Sequence, residues 1–340
     1  MDLSVAFLGT GGPVPTARRN TASVLIVRGG EKLMFDCGEG TQRQMRQSVG
    51  LVPVDQLYLT HFHLDHCLGL PGLLKTYDLG DRSEPMQIFG PTGLEQLLSD
   101  WHPMIGKLGF HLEVEEVAGG DVIRHDGYEV EVFKVEHSAR NAVGYALLED
   151  DRPGRFDPDV ARELGVQEGP DFKRLQVGET VSGSKGDVRP DQVMDEDRMG
   201  RAIVLTGDTG PCQSTVIAAA DADLLIHDSS FMTEDIERAA ETGHSTSVQA
   251  AEVAEQANVK MLALVHISSR YHVGASLDEA RAIKENTVAP RDFDSIVVPF
   301  PERGEPELIR NGAGKTTDLA EKQAADDGPP DPEGFDGSDG

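Results

Sequence analysis

Cysteine is scarce: Cys37, Cys67 and Cys212 are the only three in 340 residues. An odd, scattered set offers no disulfide framework and predicts a reducing, cytoplasmic setting. No apolar run is long enough to span a membrane. The opening MDLSVAFLGTGG lacks a basic leader and a full apolar stretch, so no signal peptide is expected. Positive charge is short as well. Lysine and arginine number 31 against 59 acidic residues, for a formal charge of −28, and only 10 of the 31 are lysine. Such a charge repels nucleic acid and works against compact states. Concentrated salt removes that cost, because the Debye length shrinks to about 3 Å at 1 M. The acidic residues run along the whole chain rather than in one tail. That predicts a surface adapted to a salty, halophilic cytoplasm, with a basic partner protein as the alternative.

Against these absences stands one dense segment, Thr60-His61-Phe62-His63-Leu64-Asp65-His66, directly after the apolar run 56–59. Imidazoles and carboxylates at a strand end suit zinc or a similar ion. His61 and His63 are two apart, so extended backbone puts them on one side. Asp65 and His66 lie beyond, where a turn carries them to a second ion. The segment is half of a two-metal site, and such sites mostly perform hydrolysis. Cys67 is expected to be a small buried residue.

Short β-rich runs alternate with helical segments throughout, which makes this an α/β chain. Strands are predicted at 5–8, 23–27, 32–35, 56–59, 86–89, 129–135, 143–147, 202–205, 223–226, 261–265 and 295–298. Helices are predicted at 40–48, 64–77, 92–99, 213–219, 234–241, 247–256 and 277–285. Residues 150–200 break the alternation with a Gly- and Pro-rich insert. An insert this long inside a compact domain is often functional. Between Asp151 and Arg189 it carries seven basic and eight acidic residues, near neutrality in a strongly acidic chain. Arg152, Arg155, Arg162, Lys173, Arg174, Lys185 and Arg189 are candidates for a phosphate-facing surface. The expected organisation is a catalytic domain over 1–303, with the insert at 150–200, and a disordered acidic tail over 304–340.

Several predicted strands end in a metal-competent or acid/base residue: Asp36, His61, His137, Asp208, His227 with Asp228, and His266. In α/β sheets, sites form beyond the carboxyl ends of strands. The ligand count closes for two ions. His61, His63 and His137 serve the first; Asp65, His66 and His266 serve the second; Asp208 bridges. Leaving-group protonation still needs an acid, and His244 is the best placed, with Asp228 as its orienting carboxylate.

These motifs resemble the metallo-β-lactamase superfamily and, within it, the tRNase Z (ribonuclease Z) family. FLGTGGPVPTARRN, FDCGEGTQRQM, LTHFHLDHCLGLPGLL, VEHS, LTGDT, GHST and HISSRY occur in that family's order. EGPDFKRLQVGETV resembles the arm by which the family grips the tRNA elbow. Two departures stand out. The family's PxKxRN loop is here Pro15-Thr16-Ala17-Arg18-Arg19-Asn20, and its HEAT segment is His227-Asp228-Ser229-Ser230, with Asp one methylene shorter than Glu.

The resemblance implies a metallo-β-lactamase fold, a four-layer αβ/βα sandwich with a projecting arm. It implies an endonuclease that removes the 3′ trailer from precursor tRNA, using two zinc ions per subunit. It also implies a cytoplasmic homodimer of halophilic archaeal type with precursor tRNA as partner and no membrane association. The catalytic residues would be Asp65, His244 and Asp228. Two alternatives stay open: another hydrolase of the same fold, such as a small-molecule phosphodiesterase, and a non-catalytic RNA binder.

Overall fold

The computed structural model describes residues 1–310. Two sheets pack face to face. The first has eight strands in the order Glu307–Ile309, Ser295–Val297, Leu3–Gly9, Ser23–Arg28, Glu31–Phe35, Gln56–Tyr58, Met86–Pro91 and Leu112–Val117. The second has seven, in the order Thr287–Val288, Met261–Val265, Leu224–Asp228, Ala202–Leu205, Val143–Glu149, Tyr128–Lys134 and Val122–His125. Alternate residues face inward, as the two-residue strand period requires. Leu3, Val5 and Phe7 meet Tyr128, Val130, Val132, Val143, Tyr145 and Leu147 in one inter-sheet core. Tyr58 stacks between Phe35 and Phe89, with centroids 4.8 and 4.9 Å away.

Helices cover both outer faces, giving the four-layer αβ/βα sandwich. Leu70–Leu79 sends Leu70, Leu73, Leu74 and Tyr77 onto the first sheet, the i, i+3, i+4, i+7 stripe of an amphipathic helix. Ser247–Gln256 lays Ala250, Ala251, Val253 and Ala254 on the second. Its start is fixed by a capping box: Gln249 N–H donates to Thr246 Oγ1 and Thr246 N–H donates to Gln249 Oε1.

Strand direction places the site. Glu31–Phe35, Gln56–Tyr58, Met86–Pro91 and Leu112–Val117 run parallel. So do Ala202–Leu205, Leu224–Asp228, Met261–Val265 and Thr287–Val288. Tyr128–Lys134 shares that direction through two successive antiparallel pairings. The carboxyl ends of each set therefore gather at one edge.

The structure differs from the sequence expectation in several places. Edge strands Leu112–Val117 and Val122–His125 were not anticipated; Glu113, Glu115 and Glu116 interrupt the apolar pattern of the first. The helix expected over 64–77 is two, Leu64–Cys67 and Leu70–Leu79. They part at Gly69, whose missing Cβ lets the backbone approach Gly38; a Cβ there would lie 2.1 Å from the Gly38 carbonyl oxygen. The tail boundary at 304 also shifts, because Glu307–Ile309 pairs with Ser295–Val297 as an edge strand; residues 311–340 lie outside those described.

The insert is folded. Helices Pro158–Glu163 and Pro170–Gln176 and the hairpin Val181–Gly183/Gly186–Val188 surround their own apolar cluster of Ala161, Val166, Phe172, Leu175, Val181, Val188 and Val193. Its expected basic surface is largely neutralised. Arg162 pairs with Asp159 and Glu168, Arg174 with Asp171 and Glu179, Arg189 with Asp191, and Arg152 with Glu302. Among the described residues, Arg155, Lys173 and Lys185 make no ion pair.

Candidate metal centre

Every strand-end residue predicted as a ligand arrives at the same edge. His61, His63, His137 and Asp208 form one group, and Asp65, His66, Asp208 and His266 a second; the donor atoms within each lie within 4.8 Å of one another. Asp208 is common to both. Its Oδ1 is 3.3 Å from His66 Nε2, and its Oδ2 is 3.4 Å from His266 Nε2, 3.8 Å from His61 Nε2 and 4.0 Å from His137 Nε2. Asp65 Oδ2 lies 3.2 Å from His266 Nε2 and 3.6 Å from His66 Nε2. Gly207 makes this convergence possible. At φ 61° it packs on Thr60, and a Cβ there would sit 2.7 Å from the threonine side chain.

An outer ring of hydrogen bonds fixes the imidazoles. The Thr60 hydroxyl donates to Asp36, so it accepts from His61 Nδ1–H at 3.0 Å. His66 Nδ1–H donates to Asp36 Oδ2 at 2.7 Å, and His137 Nδ1–H to the Gly243 carbonyl at 2.8 Å. The Ser230 hydroxyl donates to Asp228 Oδ1 at 2.6 Å and accepts from His266 Nδ1–H at 2.7 Å. With each Nδ1 carrying the proton, four rings present an Nε2 lone pair inward, the tautomer a metal ligand needs. His61 Nε2, His66 Nε2 and Asp208 Oδ1 are buried and lack hydrogen-bond partners. Buried polar atoms are seldom left so, and these three face the common centre. The donor set is that of a divalent-metal site. Asp36 and His266 also sit at φ 57° and 58°, uncommon for non-glycine residues and frequent at functional sites.

Sequence reasoning noted Asp36 as a strand ending without assigning it a role; Thr60, Ser230 and Gly243 left no sequence signal. His227 is fully buried, holds the Asp228 carbonyl through Nδ1 at 2.8 Å, and belongs to neither group. Burial pushes the Cys67 thiol up to about 12, in keeping with a small core residue.

His244 stands beside the cluster, its ring stacked on His266 at 5.2 Å. The shorter Asp228 reaches it: His244 Nδ1–H donates to Asp228 Oδ2 at 2.7 Å. Burial opposes charge on this ring, yet the Asp228 and Asp208 carboxylates lift its pKa to about 9. The same field acts in reverse on Asp208. Burial opposes its charge, but His266, His66 and His61 hold its carboxyl well below the usual range.

A groove of about 1190 Å³ opens from the residues that follow His266 and is lined by Arg18, Arg43, Arg291 and Arg310. Arg19 turns inward there, donating to Thr10 Oγ1 at 2.5 Å and the Pro290 carbonyl at 2.9 Å.

Residues 16–290 match the metallo-β-lactamase superfamily. The ribonuclease Z of Natronomonas pharaonis is 46% identical over 308 residues, covering 89% of this chain and 100% of its own. That of Haloferax volcanii is 48% identical, covering 88% and 96%. The chain belongs to the ribonuclease Z family. Both relatives are halophilic archaeal proteins, in keeping with the acidic surface. Human tRNase Z, short form, shares this family's architecture at 26% identity and TM-score 0.61, over 88% of this chain and 99% of its own. The metallo-β-lactamase fold protein YhfI of Bacillus subtilis superposes at TM-score 0.64 with 17% identity, a likeness of fold.

Proposed function

We propose that the protein is a zinc-dependent endoribonuclease that removes the 3′ trailer from precursor tRNA. The observation that carries this is Asp208, one carboxylate shared by two histidine-rich donor groups, in a chain of the ribonuclease Z family. His61, His63 and His137 would hold one zinc ion, Asp65, His66 and His266 the other, with Asp208 available to both. When bound, the ions supply Lewis-acid polarisation of the scissile phosphate and acidify a water. Asp65, between His66 and His266, steers the proton of the attacking water. His244 is the general acid. Asp228 fixes its Nδ1–H and favours the charged ring, so Nε2–H donates to the departing 3′ oxygen. The products are a tRNA 3′-hydroxyl and a trailer 5′-phosphate. The arginine groove beside His266 takes the phosphates flanking the cut, and the insert at 150–200 takes the body of the tRNA. The assembly is a cytoplasmic homodimer in which one subunit's arm serves the other's site.

The test is cleavage of an end-labelled precursor tRNA with and without chelator. A single cut after the discriminator nucleotide, lost on chelation and restored by zinc, is expected. Hydrolysis of small phosphodiesters with intact precursor would instead assign a small-molecule hydrolase.

A further inference from the structure

The insert joins the body only at its root. Among the described residues, 155–195 make no hydrogen bond, ion pair or ring contact with the two-sheet body. At the root, Arg152 and Arg198 exchange backbone hydrogen bonds of 2.8 and 2.7 Å, tying the two legs together. Glu302, from the segment that follows the first sheet's strand Ser295–Val297, reaches across to both legs. It accepts from Arg152 Nη1 and Nη2 at 3.0 and 2.9 Å and from Arg198 Nη1 at 3.2 Å. Phe300, two residues earlier, lies beneath the same guanidinium: Arg152 Cζ is 3.5 Å from its ring centroid. Arg201, 3.9 Å from that ring, is anchored in the body by Glu149 at 2.6 Å and the Val298 carbonyl at 2.9 Å.

This is more than the local pairing found elsewhere in the insert. Bidentate arginine–carboxylate geometry sets orientation as well as distance. Here the carboxylate comes from about 150 positions away, on a different element. A folded unit with one narrow attachment swings about it unless something restrains the swing.

We propose that Glu302, with Phe300 beneath Arg152, is a positioning residue that fixes the pose of the arm and thereby the recognition of precursor tRNA. The proposal rests on reading the insert as the tRNA-binding element. Glu302 touches neither the metal centre nor the arginine groove, so its effect runs through the arm alone.

The variants are Glu302→Gln, Glu302→Ala and Glu302→Arg in the full chain, beside a deletion of 155–195. For Glu302→Ala, the KM for precursor tRNA should rise about tenfold, the scale on which displaced positioning elements act. Its kcat and its turnover of a small aryl phosphodiester should stay at the parent level. Glu302→Gln keeps hydrogen-bonding atoms and should lose less; Glu302→Arg repels Arg152 and Arg198 and should lose more. Independently of RNA, the amides of Arg152 and Arg198 should exchange hydrogen faster in Glu302→Ala, with the sheets unchanged. Unaltered root exchange overturns the clamp whatever the kinetics. So does an unaltered KM in all three variants while the deletion raises it. Equal loss on both substrates makes Glu302 a support of the body and also overturns it. A deletion that leaves KM unchanged overturns the tRNA reading of the insert, and the proposal with it.

Discussion

At the metal centre Asp208 is 3% exposed and has five imidazoles within 4.0 Å. In the insert, Arg174 is half exposed and pairs with Asp171 and Glu179, three and five positions away. The first arrangement exists only because two sheets bring distant strand ends together. A buried charge costs several kcal/mol unless its partners are in place. The second is assembled within one short segment, in water, where such pairs contribute little. The insert's shape instead depends on its small apolar cluster and on the clamp at its root. One region is thus rigid by necessity, and the other is a separate unit whose pose depends on a narrow base. That division suits a centre that must hold reacting atoms and an element that must meet a large, elongated substrate.

The largest effect that sharpens this contrast lies at the cluster. His63→Ala or Asp208→Ala should reduce cleavage by about a thousandfold or more, and metal content should drop from about two ions per chain. His63 is exposed, so its variant should keep its circular-dichroism spectrum. Full activity in protein that elemental analysis finds metal-free would break the two-metal reading.

His244→Ala comes next. Loss of a general acid should slow precursor cleavage by about a hundredfold or more, and zinc content should hold if His244 acts as that acid and not as a ligand. An aryl phosphodiester with a strongly acidic leaving group needs no proton and should react almost normally. Metal loss in this variant, or an equal loss on both substrates, would break the general-acid assignment.

A third change separates buried from exposed charge. Glu149 is 5% exposed and holds Arg28 at 2.9 Å and Arg201 at 2.6 Å. Glu149→Gln should destabilise the fold by about 3–5 kcal/mol, because it removes the buried carboxylate shared by two guanidinium groups. Burial opposes ionisation of Glu149, but Arg201 and Arg28 outweigh it and hold the pKa below its ordinary value. Its stabilisation is therefore complete above the ordinary carboxylate pKa, about 4.3, and is lost as pH falls through the lowered folded value. Denaturant melts from pH 7 downward should show parent and variant converging at acid pH.

The smallest effect belongs to the insert. Arg174→Ala should lower the melting temperature only slightly in dilute buffer and not measurably in molar KCl, where exposed pairs are screened. The Glu149→Gln penalty should persist in the same salt. Equal salt sensitivity of the two would mean that the insert's pairs are as enclosed as the body's.

The sequence by itself determined the candidate ligands and most of the scaffold beneath them. His61, His63, Asp65 and His66 sit in one short run, and His137, Asp208 and His266 each close an apolar strand. Ligand chemistry and a two-residue strand period are local properties, readable without knowing where the chain goes next. Only the tertiary structure decided what depends on distant partners. Asp228 reaches His244 although it is shorter than the family's Glu, because Leu224–Asp228 lies beside Ala202–Leu205 and carries it to the imidazole. Ser230 orients His266, and Asp36 orients His66 directly and His61 through Thr60, across gaps in sequence that carry no periodic signal. The insert's arginines looked available from composition, yet Arg162, Arg174 and Arg189 pair with carboxylates two to six positions away, and Arg152 with the distant Glu302. Glu302 and Phe300 lie at the edge of a stretch whose composition suggested a disordered tail. What makes them a clamp is the position of the arm's root, fixed about 150 residues earlier in the chain.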